Sequence, residues 1–256
     1  MKTVVTIVGS GTCVPSLERS ACSVMVESRG WRVLLDSGPG TMHRLLEAGV
    51  RIFDIDLIGY SHFHPDHTGE LVPILFATKY SGQGPRKRPL TLVAGRGFND
   101  FFSRLHRVYG DWITLGPGQL EIVELDNLRP DFFRYEELMI SSMPVEHQAE
   151  SLAFRISDPD GRSVVYSGDT DFSENLIRLA KNTDLLVCES AFPDARKTRG
   201  HLTPSLSGKI ARMAGAQRLV LTHLYPECDG VDLVGQCRRN FDGPVLIARD
   251  LMRIEL

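Results

Sequence analysis

The chain lacks any apolar run approaching the roughly 20 residues that a helix needs to cross a bilayer. Its opening, Met1-Lys2-Thr3-Val4-Val5-Thr6-Ile7-Val8, reads as a short strand rather than a secretory leader, so a soluble, cytoplasmic protein is expected. Cysteine is scarce: Cys13, Cys22, Cys188, Cys228 and Cys237 are odd in number and form no C-x-x-C pair. This argues against a disulfide framework and leaves reduced, mostly buried thiols, with Cys188 in a core strand. Surplus charge is lacking as well. A formal net charge of −3 over 256 residues argues against indiscriminate nucleic-acid binding through a basic face, though not against a local basic groove. No repeat and no linker divides the chain, and one domain over 1–256 is expected.

What is present is a core and a cluster. Hydrophobic residues make up 42% of the chain, ample for a buried interior. Behind the apolar run Ile55-Asp56-Leu57-Ile58-Gly59-Tyr60 stands Ser61-His62-Phe63-His64-Pro65-Asp66-His67-Thr68-Gly69, with three imidazoles and a carboxylate within six positions. In extended chain, residues two apart share a side, so His62 and His64 can hold one cation. Pro65 disfavours helix at His64 and turns the chain, so that Asp66 and His67 face a neighbouring point. The reading is two adjacent metal positions. The mixed nitrogen and oxygen donors suit zinc first, with manganese or iron as alternatives.

Along the chain, Val4–Val8 is a strand ending in the turn Gly9-Ser10-Gly11-Thr12, where no helix pattern follows to make a phosphate fingerprint. Strands at 23–27 and 31–36 form a hairpin around Ser28-Arg29-Gly30. Asp36 ends the second, and it reads either as positioning the metal loop by hydrogen bonds or as a plain turn carboxylate. Helical spacing marks 41–48, 71–80, 97–109, 174–181 and 205–214, and further strands fall at 90–95, 121–125, 138–145, 152–156, 163–167, 184–188 and 218–222. His43 and His106 have no companion ligand types and read as surface or packed residues. The stretch 81–89, with Arg86, Lys87 and Arg88, reads as a solvated loop, with steering of an anionic substrate as the alternative.

The H-x-H-x-D-H motif resembles the signature of the metallo-β-lactamase superfamily. The resemblance implies further ligands downstream, and His147, Asp169 and His223 each stand just past an apolar strand. It implies an α/β fold, the αβ/βα four-layer sandwich, with the site at the shared edge of two sheets. One metal would take His62, His64 and His147, the other Asp66, His67 and His223, and Asp169 would bridge two divalent ions. Within the superfamily, Gly9-Ser10-Gly11-Thr12-Cys13-Val14-Pro15-Ser16, Ser167-Gly168-Asp169-Thr170 and Arg218-Leu219-Val220-Leu221-Thr222-His223 are similar to ribonuclease Z. Glu189-Ser190-Ala191-Phe192 and Gly200-His201-Leu202-Thr203 fall where that family has its glutamate and second histidine blocks. The resemblance gives His201, held by Glu189, a role at the leaving oxygen, and Asp66 a role in orienting the nucleophile.

Two departures from that pattern stand out. Pro65 replaces the usual glycine, and the span from His147 to Asp169 is a short hairpin where ribonuclease Z inserts a long arm that grips transfer RNA. The expected function is therefore a dinuclear metal-dependent phosphodiesterase resembling ribonuclease Z without its arm, acting on a small phosphodiester or RNA. Hydrolysis of a lactone, thioester or other small ester by the same centre is the alternative, and a non-catalytic metal- or nucleotide-binding protein is another. Arg196, Lys197 and Arg199 are candidates for attracting an anionic substrate. A homodimer is suggested by the resemblance, and no membrane association is expected.

Overall fold

The computed structural model describes residues 2–82 and 86–256. Gln83, Gly84 and Pro85 of the basic stretch, and Met1, lie outside the described residues. The chain runs β1 (Val4–Gly9), β2 (Ser23–Ser28), β3 (Trp31–Leu35), α1 (Thr41–Glu47), β4 (Leu57–Tyr60), α2 (Pro65–Thr68), α3 (Leu71–Tyr80), β5 (Leu90–Gly95), α4 (Phe98–Tyr109) and β6 (Leu120–Leu125). It continues with β7 (Asp131–Tyr135), β8 (Leu138–Pro144), β9 (Leu152–Ser157), β10 (Ser163–Tyr166), α5 (Glu174–Leu179), β11 (Leu185–Glu189), α6 (Pro204–Ala214), β12 (Leu219–Thr222), α7 (Leu233–Arg238), β13 (Val245–Ile247) and β14 (Met252–Glu255). Among the described residues no helix is long and apolar enough to cross a membrane.

Two mixed sheets result, ordered β14-β1-β2-β3-β4-β5-β6 and β13-β12-β11-β10-β9-β8-β7. In each, antiparallel hairpins give way to parallel strands once helices are interposed: β3, β4, β5 and β6 in the first, β10, β11, β12 and β13 in the second. Parallel strands covered on both faces carry unbroken apolar runs, because both side-chain directions are buried. Val33, Leu35 and Leu57 face across to Phe154, Val164 and Val187 in a core between the sheets. Their neighbours Leu34 and Ile58 point the other way, under Leu45, Leu71, Leu75 and Phe98 of α1, α3 and α4. Val165, Leu186 and Leu221 likewise pack under Leu176, Ile210 and Leu233 of α5, α6 and α7. The layers are helix, sheet, sheet, helix, the αβ/βα sandwich expected from the sequence.

Several elements differ from the sequence reading. The edge strands β7, β13 and β14 and the short α7 carry too little apolar pattern to be read; Phe132 of β7 is largely exposed. The strand expected at 184–188 runs one residue further, so that Glu189 closes β11. Beyond Pro65 the chain makes one helical turn, α2, with proline at its first position, where its missing N–H costs nothing. The glycine at the end of β1 answers to packing: a Cβ on Gly9 would stand 1.9 Å from the Ala21 carbonyl oxygen. All five cysteines are free, with Cys13 exposed and the other four buried.

Candidate metal centre

Strands of both sheets that run in the same direction deliver the site's side chains where their carboxyl ends meet. Past β4, the Ser61 N–H and hydroxyl donate to the two oxygens of Asp36 at 2.7 and 2.8 Å. From that anchored point His62 and His64 turn one way. Phe63, between them, turns the other way and stacks on Phe101, ring centres 5.1 Å apart. α2 then brings Asp66 and His67 alongside. Past β8 comes His147, past β10 Asp169, and past β12 His223.

Backbone conformation at these exits is specific. Gly168, with φ +56°, lets the chain pass so close to Ser61 that a Cβ there would stand 2.6 Å from the serine's own. His223 adopts a left-handed conformation, φ +55°, that costs a non-glycine residue on the order of 1 kcal/mol or more. It is pinned on both sides: the Ser190 N–H donates to the Thr222 carbonyl at 2.9 Å, and the Leu224 N–H to the Ser10 carbonyl at 3.0 Å.

The donor atoms form two sets that share one residue. Asp169 turns Oδ2 toward Nε2 of His62 and His147, at 3.8 and 3.9 Å. Its Oδ1 faces Nε2 of His67 and His223, at 3.3 and 3.4 Å. Asp66 Oδ2 joins the second set, 3.6 Å from His223 Nε2 and 3.9 Å from His67 Nε2. His64 completes the first, its Nδ1 3.4 Å from His147 Nε2. Donor atoms of His62, His64, His147 and Asp169 lie within 4.8 Å of one another, as do those of Asp66, His67 and His223.

This arrangement fits metal ions. His62 Nε2, His67 Nε2, His223 Nε2 and Asp169 Oδ1 are buried without a hydrogen-bond partner among the described residues. Buried polar atoms in that state are costly unless something converges on them. Three of the other ring nitrogens are held: His67 Nδ1 donates to Asp36 at 2.7 Å, His147 Nδ1 to the Gly200 carbonyl at 2.9 Å, and His62 Nδ1 lies 3.0 Å from the Ser61 hydroxyl, whereas His223 Nδ1 is buried with no partner among the described residues. Such contacts fix the ring orientation of a ligating imidazole. Burial pushes His62 and His147 below the usual imidazole range, toward the neutral form that ligates. Burial opposes the charge on Asp169, yet the imidazoles of His223 and His67 hold its carboxyl well below the ordinary carboxylate value.

Beside the second set, His201 Nδ1 lies 3.0 Å from Glu189 Oε1 and 3.9 Å from Asp169 Oδ2. Glu189 is buried and also accepts from the N–H groups of Thr170 and Leu202, at 2.7 and 3.0 Å, so two other chain segments set its position. Burial works against a charge on His201, but the hydrogen bond and charge of Glu189 raise it above the usual range.

Other candidates stand apart. Asp36 lies behind His67 rather than among the facing donors, as a positioning group. His43 is exposed on α1, and His106 is exposed with Nε2 2.8 Å from the Thr114 hydroxyl. Arg86 is not solvated: it is buried and donates to carbonyls of Ile52, Phe53 and Ile55. Arg88 lies over the Trp31 ring and pairs with Asp56, near the amino ends of β3 and β4. Both therefore sit at the opposite end of these strands from the site and make no contact with it. Lys197 pairs with Asp171 at 2.8 Å and Arg196 with Glu227 at 3.5 Å, while Arg199 has no ion pair among the described residues. The sequence reading missed Asp171, which also accepts the Gly200 N–H at 2.9 Å and so sets the carbonyl that holds His147. Its place two residues after Asp169 was the available signal.

A β-lactamase superfamily domain model matches residues 31–224. An uncharacterized protein of Mycobacterium tuberculosis is 31% identical over 190 residues, covering 72% of this chain and 67% of that protein. Ribonuclease Z of Haloarcula marismortui is 28% identical over 296 aligned positions, covering 97% of this chain and 95% of that enzyme. Among solved structures, the metallo-β-lactamase fold protein YhfI from Bacillus subtilis shares the fold with a TM-score of 0.85 at 24% identity, covering 100% of this chain and 99% of that one. The short form of human tRNase Z superposes with a TM-score of 0.79 at 25% identity, covering 98% of each chain. With the matched domain spanning most of its length and its histidines and aspartates gathered at the shared sheet edge, this chain belongs to the β-lactamase superfamily as a ribonuclease Z-like protein of the metallo-β-lactamase fold.

Proposed function

We propose that this protein is a dinuclear metal-dependent phosphodiesterase, built as one domain, with the chemistry of ribonuclease Z and without an RNA-gripping arm. The observation that carries the reading is Asp169, whose two oxygens face two different sets of nitrogen donors. His62, His64 and His147 would hold one ion and Asp66, His67 and His223 the other, with Asp169 shared and zinc the first candidate. When bound, two such ions make a water nucleophilic near neutral pH and neutralise phosphoryl oxygens.

The chain's own residues divide the remaining work. Asp66 orients the attacking water through its carboxylate. His201, oriented by Glu189 and favoured in its protonated form, gives a proton from Nε2 to the departing oxygen. Arg199, exposed and without an ion pair among the described residues, offers a charge one residue from Gly200, whose carbonyl holds His147. The connection between His147 and Asp169 is only the hairpin of β9 and β10, which supplies none of the remote phosphate contacts a folded RNA requires.

The test is a substrate panel with metal-defined protein: bis(p-nitrophenyl) phosphate, cyclic nucleotides and precursor transfer RNA, with lactones and thioesters alongside. Turnover of small phosphodiesters with weak RNA cleavage is expected. Preferential turnover of lactones or thioesters would replace the reading, and site-specific RNA cleavage that weakens steeply with salt would overturn the substrate assignment.

A further inference from the structure

The loops that follow β11 and β12 each carry an aromatic residue just beyond a site residue: Phe192 three positions after Glu189, and Tyr225 two after His223. Backbone bonds extend the strand pairing into both loops. The Ser190 N–H donates to the Thr222 carbonyl at 2.9 Å, and the Tyr225 N–H to the Ala191 carbonyl at 3.2 Å. The two rings are thereby stacked, centres 4.5 Å apart and planes within 20°.

This pair stands against the site. Tyr225 is edge-on to His223 at 5.8 Å and to His201 at 6.4 Å, and Phe192 is edge-on to His201 at 6.2 Å. Both rings are only half-buried, and neither belongs to the three hydrophobic clusters found among the described residues. The Tyr225 hydroxyl lies 3.4 Å from Cys13 Sγ, on the loop after β1, so a third segment holds that ring from its far end. Apolar rings that support no core, fixed by three loops beside the group assigned to the leaving oxygen, are placed to meet substrate rather than to stabilise the fold.

Resting on the phosphodiesterase reading, we propose that Phe192 and Tyr225 form a subsite for a planar base, so that the site prefers phosphodiesters of nucleosides over those of alkyl alcohols. Stacking of a base on an aromatic side chain is sequence-tolerant and changes affinity by roughly 10-fold or more. The residues specify a class of substituent next to the phosphate, not a particular base.

The experiment uses the metal-loaded protein and two readouts. Calorimetry compares binding of thymidine 5′-monophosphate with that of inorganic phosphate. Chromatography follows hydrolysis of the methyl ester of thymidine 5′-phosphate against dimethyl phosphate, with bis(p-nitrophenyl) phosphate as the control for phosphodiesterase activity. The wild type is expected to bind the nucleotide about 10-fold more tightly than phosphate and to show a correspondingly lower KM for the thymidine ester. Phe192→Leu and Tyr225→Leu should remove that preference, and Tyr225→Trp should keep it. Equal binding of nucleotide and phosphate by the wild type, or an equal loss on both substrates in the leucine variants, overturns the subsite. No turnover of the control overturns the phosphodiesterase reading instead, and calorimetry then decides the subsite by itself.

Discussion

The carboxylate of Asp36 and the imidazole of His67 meet at 2.7 Å with both side chains fully buried. The same carboxylate oxygen accepts the Tyr166 hydroxyl at 2.7 Å and the Ser61 hydroxyl at 2.8 Å. One residue just past β3 thus aligns a ligand-type histidine, the turn that carries His62, and a tyrosine from the second sheet. Asp36→Asn should weaken metal affinity roughly 10- to 100-fold, the scale seen when a partner behind a ligand is lost. Competition with a chromophoric chelator measures this. An affinity equal to wild type would remove Asp36 from the metal centre's support.

Without a metal, the carboxylates around His67 favour its protonated form. Burial opposes a charge on His67, but Asp169 and Asp36 outweigh it and hold its pKa well above the usual imidazole value. A metal must displace that proton, so binding releases protons near neutral pH and affinity falls as pH is lowered. Calorimetry in buffers of different ionisation enthalpy reads the proton count directly. Uptake of protons, or none exchanged, would contradict the assignment of His67 as a ligand.

Two metal equivalents per chain are expected from elemental analysis, since Asp169 divides its oxygens between two donor sets. Asp66→Ala should lower metal content and remove most turnover while the fold survives, because α2 lies at the sheet edge, outside the three cores. Near-wild-type turnover at unchanged metal content would sink the role given to Asp66.

His201→Gln should cost about 10²- to 10⁴-fold in kcat with metal content retained, the usual scale for a positioned acid. Glu189→Gln should fall in the same direction. The loss should be largest for diesters with alkoxide leaving groups and smallest for p-nitrophenolate, which departs without a proton. An equal loss for both kinds of leaving group would show that His201 does not serve the leaving oxygen.

Local spacing determined much of this protein. Alternation along extended chain makes His62 and His64 legible as a pair, and a proline turn separates them from Asp66 and His67; both are properties of a few consecutive residues. Apolar runs bounded by glycine or a polar residue marked most central strands, because burial on both faces leaves a continuous signature. His147, Asp169 and His223 could be picked out only as residues following such strands; their approach to within 4 Å of one another or of Asp66 depends on two sheets meeting at one edge. What spacing along the chain could not decide was the contacts between distant segments that the family resemblance did not imply. The Arg86 side chain turned out to be bound to carbonyls at the far edge, Asp171 to set the Gly200 carbonyl behind His147, and Phe192 to lie against Tyr225. Edge strands β7, β13 and β14 escaped for the same reason: their pairing comes from neighbours already in place, and that is a property of the folded sheet rather than of any window of residues.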